Sequence, residues 1–178
     1  MADLHQQMKG FPLMGVLNCI VVEDNNKQSA LLKDYIAKTP KLSFSGKCGS
    51  AADLYPLVTQ HRADIIFWDP FSPRANPSLW TIAAFRALRA TAGPRCTLVT
   101  YSASTATRVA LLVAGWAVGV GDPIGDKAQT TAAAVAAADL ARPLDRRWLD
   151  RLTRADAPRP SDAPADFAAL CAAQPQFA

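Results

Sequence analysis

What this chain lacks narrows it first. It has no unbroken apolar run of about 18 residues, the length that crosses a bilayer. The nearest stretch, residues 11–22, is interrupted by Pro12, Gly15 and Asn18. The N-terminus does not combine a charged region, an apolar core and a small-residue cleavage site, so it does not read as a secretory leader. The cysteines are four and scattered (Cys19, Cys48, Cys96, Cys171), and the only histidines are His5 and His61. They form no C-x-x-C pair and no zinc-ligand spacing, and Cys19 and Cys96 fall inside predicted strands, as small buried hydrophobes do. No internal repeat is visible. These absences predict a reduced, cytoplasmic, soluble protein without a structural metal. With 178 residues, half of them apolar, and a net charge of +4, the chain can bury one good core but not two full-size domains.

What is present alternates. Residues 17–22 form a first apolar strand ending in Glu23-Asp24, and Asn25 or Asn26 caps a helix with Leu31, Leu32, Tyr35 and Ile36 on one stripe. A weaker strand follows at 42–47, then a helix around 54–61, with Asp53 as its cap and Pro56 in its first turn. The third strand, Ile65 to Trp68, stops at Asp69 and a proline-broken loop (Pro70, Pro73, Pro77). Ser78 caps a third helix carrying Leu79, Ile82, Phe85 and Leu88. A fourth strand at 96–100, a helix at about 104–114 closed by Gly115, and a fifth strand at 118–120 come next. Asp126 then caps an alanine-rich helix reaching about Ala141. Short apolar runs bounded by turns read as strands buried on both faces. Five βα units predict a flavodoxin-like (βα)5 doubly wound, five-stranded parallel sheet of order 2-1-3-4-5. Residues 1–15 read as a lead-in, 16–141 as the domain, and 142–178 as a basic amphipathic segment with a Pro/Ala-rich tail, partly disordered.

In such a sheet the crevice beyond the strands' carboxyl ends is where sites are built. The first and third strands are neighbours there, which brings Glu23, Asp24 and Asp69 together. Three close carboxylates repel one another unless a hard cation sits among them, and Mg²⁺ suits an oxygen site of this kind. Thr100 ends the fourth strand on the other side of Asp69.

In these features the chain resembles the receiver domain of two-component response regulators. The matching pieces are Glu23-Asp24, Asp69 with Pro73 four residues on, Thr100, and Asp122-Pro123. They lie at intervals of 45, 31 and 22 residues from Asp24 through Asp69 and Thr100 to Asp122. The segments LNCIVVEDN, LLKDYIAKTPKLSFSG and ADIIFWD look most like LytTR-type receivers, and RPLDRRWLDRL is similar to the linker after NarL-type receivers. No LytTR or helix-turn-helix output domain is recognisable. The resemblance implies Asp69 as phosphoacceptor, Thr100 as the switch hydroxyl, and Mg²⁺ held by Glu23, Asp24, Asp69 and the backbone carbonyl of Phe71.

Two positions depart from that pattern in a way that matters for charge and access. Asp122 stands where receivers carry a lysine, and Tyr101 where they carry a small residue. A carboxylate in place of an ammonium beside a phosphoryl group reverses an interaction of roughly 4 kcal/mol at ~4 Å and an effective dielectric of about 20. The fifth strand also lacks a switch aromatic. The expected function is therefore a stand-alone pseudo-receiver, not an enzyme. It would act by binding a histidine kinase, another signalling protein or a second copy through its fourth helix, fifth strand and fifth helix. The alternatives are an active single-domain regulator phosphorylated on Asp69 within a phosphorelay, and a dimeric transcription regulator using the basic tail. Asp145 and Asp150 interrupt that tail's arginines, which weighs against nucleic acid there, and nothing in the chain points to a membrane.

Overall fold

The computed structural model of the protein describes residues 15–123 and 128–178. Its centre is a mixed α/β sheet. Strands β1 (Leu17–Val22), β2 (Leu42–Cys48), β3 (Ile65–Trp68), β4 (Thr97–Thr100), β5 (Ala117–Gly121) and β6 (Thr130–Ala134) lie in the order β2-β1-β3-β4-β6-β5. β1 pairs in parallel with β2 and β3, and β3 with β4, whereas β6 runs antiparallel between β4 and β5.

Strand alternation divides the core. Cys19, Val21, Ile65 and Phe67 face one side, where they meet Ile36 of helix α1 (Asn26–Lys38). Ile20, Val22, Ile66, Trp68 and Leu98 face the other. That side is covered by α2 (Ala51–Gln60), α3 (Ile82–Thr91) and α4 (Thr105–Val113), with the Trp68 and Phe85 rings 4.9 Å apart. Near-continuous apolar strands are what burial on both faces requires.

The helices begin where polar side chains satisfy their open N–H groups. Asn25 accepts from Lys27 and Gln28 to start α1, and Ser104 accepts from Thr107 to start α4. Gly115, at φ +89°, then takes the left-handed conformation that ends α4. Two expected caps shift. Ser50, not Asp53, caps α2; it accepts from the Asp53 N–H at 3.2 Å while its hydroxyl donates to the Asp53 carboxylate at 2.7 Å. Pro56 consequently sits inside the helix rather than in its first turn. Ser78 lies in a separate 3-10 turn, Pro77–Trp80, and Thr81 caps α3.

The largest correction concerns the alanine-rich stretch. Asp126 lies outside the described residues, and Thr130–Ala134 is a strand, so the five-stranded 2-1-3-4-5 order does not hold. Alanine favours helices in isolation, but here a slot between β4 and β5 supplies hydrogen-bond ladders on both sides. Gly119 makes room on the edge: a Cβ there would come within 2.6 Å of the Arg142 carbonyl oxygen.

Beyond β6 the chain folds back onto the same core. Leu144, Trp148, Leu152, Phe167, Cys171 and Phe177 are buried in it, the last three from or beside helix α5 (Phe167–Ala172). The Asp162 carboxylate accepts from the N–H groups of Ile82 and Ala83 at 2.9 and 3.0 Å, adding to the cap of α3. The Gln176 side chain bonds both backbone groups of Val118 on β5. Among the described residues, no helix is long and apolar enough to cross a membrane.

Candidate active site

The crevice at the carboxyl ends of β1 and β3 is built by a short set of hydrogen bonds. The Asp69 N–H donates to the Val22 carbonyl at 2.8 Å, which carries the β1–β3 pairing one residue further and brings Asp69 beside Glu23. Glu23 is buried, its N–H donates to Cys48 O, and its carboxylate accepts from the Asn25 N–H at 2.7 Å. Burial pushes the Glu23 carboxyl up to about 7; the Asn25 N–H opposes the rise, and the charges of Asp69 and Asp24 add to it.

The loop after Asp69 is clamped from two sides. The Phe71 N–H donates to Asp24 Oδ1 at 2.9 Å, and the Trp80 indole N–H donates to the Phe71 carbonyl at 2.8 Å. The Asn76 amide bridges Asp24 Oδ2 at 3.3 Å and the Gly49 carbonyl at 3.1 Å. With both its backbone polar groups held, Phe71 is nevertheless 54% exposed. An open cleft of about 540 Å³ results, within the size range of small-molecule sites. Two acids (Glu23 and Asp69), the polar side chains of Asn25, Gln28 and Ser72, and the rings of Phe71 and Tyr101 line it. Among the described residues, no lysine or arginine lines this cleft. Burial, then the negative charges of Asp69 and Glu23, raise the Tyr101 phenol above its ordinary range and keep it protonated.

Of the residues picked from sequence, Glu23, Asp69, Phe71 and Tyr101 share this cleft, and three do not. Asp24 spends both carboxylate oxygens on the Phe71–Asn76 loop. Thr100 is buried, and its hydroxyl accepts from the Ser102 N–H at 3.2 Å. Asp122 pairs with Arg142 at 2.8 Å and lines a separate small cavity of about 60 Å³ beside β5. The expected four-acid pocket therefore does not form. Among the described residues, no three His, Cys, Asp or Glu side chains are grouped to hold a metal. The expected docking face also fails: Val109, Leu111, Leu112 and Trp116 are fully buried in the core. Sequence reasoning passed over Asn25 and Gln28 as cleft groups, and Asn76 and Trp80 as clamps. A polar amide between Pro73 and Pro77 was the available signal for Asn76.

An α/β sheet with an acid-lined crevice at its switch point, lined by no described lysine or arginine, offers the place where such sheets bind small ligands. A family model described as S-adenosyl-L-methionine-dependent methyltransferase matches residues 28–136, more than half of the chain. The chain belongs to that family.

Its relatives include tRNA 5-methylaminomethyl-2-thiouridine biosynthesis bifunctional proteins MnmC. The protein from Burkholderia vietnamiensis is 39% identical over 69 residues, covering 39% of this chain and 10% of the relative. That from Ralstonia nicotianae is 34% identical over 110 residues, covering 62% and 15%. The chain thus spans only a small part of the curated relatives it matches. A solved structure, MnmC2 from Aquifex aeolicus, shares the fold with a TM-score of 0.63 at 20% identity, covering 94% of this chain and 68% of that one.

The receiver resemblance is overturned by this membership. So are its consequences: the signalling function, the non-enzyme reading, the Mg²⁺ cofactor and the histidine-kinase partner. Acids ending parallel strands beside a crevice are common to many functions on related sheets, which is why the spacing matched without the chemistry.

Proposed function

We propose that the cleft binds S-adenosylmethionine and passes its methyl group to an amine nitrogen on an RNA base. The observation that carries this reading is the pairing of two acids with two partly exposed rings in a cleft that no described cation lines. Such a lining suits a positively charged ribosyl ligand and disfavours a phosphate-bearing one.

The residues present fit that cofactor. The buried Glu23 carboxylate is an acceptor for ribose hydroxyls, and the Asn25, Gln28 and Ser72 side chains offer groups for an amino-acid end. Phe71 and Tyr101 offer aromatic faces to planar rings. When bound, S-adenosylmethionine supplies an electrophilic methyl group on a sulfonium.

The chain's own part is to prepare the nucleophile. An alkylamine arrives mostly protonated at neutral pH and must lose a proton before its nitrogen can attack. Asp69, held at the strand end by Val22, is the carboxylate in the cleft that accepts a hydrogen bond from that nitrogen and takes the proton. The protonated Tyr101 donates and helps keep the nitrogen oriented. The methylaminomethyl group in the relatives' names supports an amine as acceptor.

The test uses the full chain with labelled S-adenosylmethionine and RNA bearing a 5-aminomethyluridine. The expected result is one methyl group on the amine, with Asp69→Asn losing transfer while still binding S-adenosylhomocysteine. No binding of S-adenosylhomocysteine by the wild-type protein overturns the donor assignment. Binding without transfer overturns the acceptor.

A further inference from the structure

We propose that the α1–β2 edge of the sheet is the contact surface for an RNA phosphate backbone that leads a substrate strand to the cleft. This rests on the RNA-modifying reading and adds the surface to it.

The argument begins with where the charge lies. Residues 26–48 hold five of the chain's seven lysines and one acid, Asp34, a local charge of +4. The rest of the chain carries fourteen basic and fourteen acidic residues, so this edge supplies the whole of the protein's net +4. Lys27, Lys33, Lys38, Lys41 and Lys47 are all exposed. Asp34 is already engaged by Lys38 at 2.7 Å. The arginine-rich tail does not compare: residues 142–162 hold six arginines against four aspartates, and Arg142 is paired with Asp122.

Placement gives the charge a direction. Among the described residues β2 is the edge strand of the sheet. Lys27 stands in the first turn of α1 next to Gln28, which lines the cleft. Lys47 reaches the same turn, donating to Asn26 at 2.9 Å, and Lys33 lies 5.2 Å from the centre of the Phe44 ring on β2. At 1.5 Å per residue the stretch from Lys27 to Lys38 covers roughly 16 Å, about five base-step rises. Lysines on an edge strand also guard against strand pairing, but Lys27, Lys33 and Lys38 are on the helix, where no edge needs guarding. Lys27 and Lys38 share one face of α1, and Lys33 lies about 120° round it towards Phe44 of β2; a phosphate backbone is the partner that such a cluster of ammonium groups beside the cleft fits.

The test measures binding of a labelled RNA stem-loop to the full chain across a salt series. Each lost phosphate contact flattens the log–log salt dependence by about 0.7 to 0.9. Lys27→Ala/Lys33→Ala is expected to flatten it by about 1.4 or more and weaken low-salt binding at least tenfold. Lys33→Arg keeps binding, and Arg146→Ala/Arg147→Ala changes it little. The surface is overturned if the lysine pair leaves the slope unchanged, if the arginine pair takes the loss instead, or if no RNA binds. It is also overturned if anionic phosphatidylserine vesicles bind through the same lysines in preference to RNA. S-adenosylhomocysteine binding separates the two readings. Lysine-dependent RNA binding without it keeps the surface and removes the methyltransferase site, whereas S-adenosylhomocysteine binding with lysine-independent RNA binding removes the surface alone.

Discussion

Asp24 and Phe71, 47 residues apart, are joined by a 2.9 Å hydrogen bond from the Phe71 N–H to Asp24 Oδ1. Through it the end of β1 sets the loop that closes the cleft after Asp69. A carboxylate read as a metal ligand is thus a structural anchor for the loop carrying an exposed ring. Replacing Asp24 by alanine removes the acceptor for Phe71 and one acceptor of the Asn76 amide. The expected loss is about 1–3 kcal/mol of stability, with faster amide exchange at Phe71 than at neighbouring strand positions. Asp24→Asn, which keeps one oxygen, should lose less. Chemical denaturation and hydrogen exchange measure both.

Glu23 makes stability depend on pH. Its carboxyl ionises near the ordinary 4.5 when unfolded and near 7 when folded, so the folded protein holds an extra proton between those values. The contribution is complete below about pH 4.5 and falls away as pH rises through 7, by on the order of 3 kcal/mol. Glu23→Gln should flatten that part of the profile and be the more stable protein at pH 8. A series of denaturation curves from pH 4 to 8 that shows no difference in slope between the two proteins would contradict this.

The C-terminal segment should behave as part of the core. Phe177 is buried, and truncating it to alanine is expected to cost about 3–5 kcal/mol. Asp162→Ala, which strips two N–H partners from the start of α3, should cost roughly 0.5–2 kcal/mol. Urea midpoints that leave both variants at the wild-type value would show the segment to be unattached in solution.

All four thiols should be silent in the native protein. Cys19, Cys48, Cys96 and Cys171 are buried, and burial pushes each up to about 12. Little thiolate is available for attack at neutral pH. A chromogenic disulfide reagent should label none of them until denaturant is added, and then all four. Prompt labelling under native conditions would show an opening that exposes the core.

By itself the sequence determined the layered α/β character, the first four parallel strands, the start of the first helix at Asn25 or Asn26, and the meeting of Glu23 with Asp69 at the strand ends. These follow from local pattern: apolar runs that must be buried on both sides, polar residues that close helix starts, and acids placed where such runs stop. Tertiary structure decided the rest. Thr130–Ala134 became a strand because β4 and β5 left a slot with unpaired hydrogen-bond groups. Asp122 left the expected cluster because Arg142, twenty residues on, folds back to it, and Asp24 was claimed by a loop beyond β3. A carboxylate's role depends on which donor reaches it first, and those donors lie far along the chain, where periodicity carries no information.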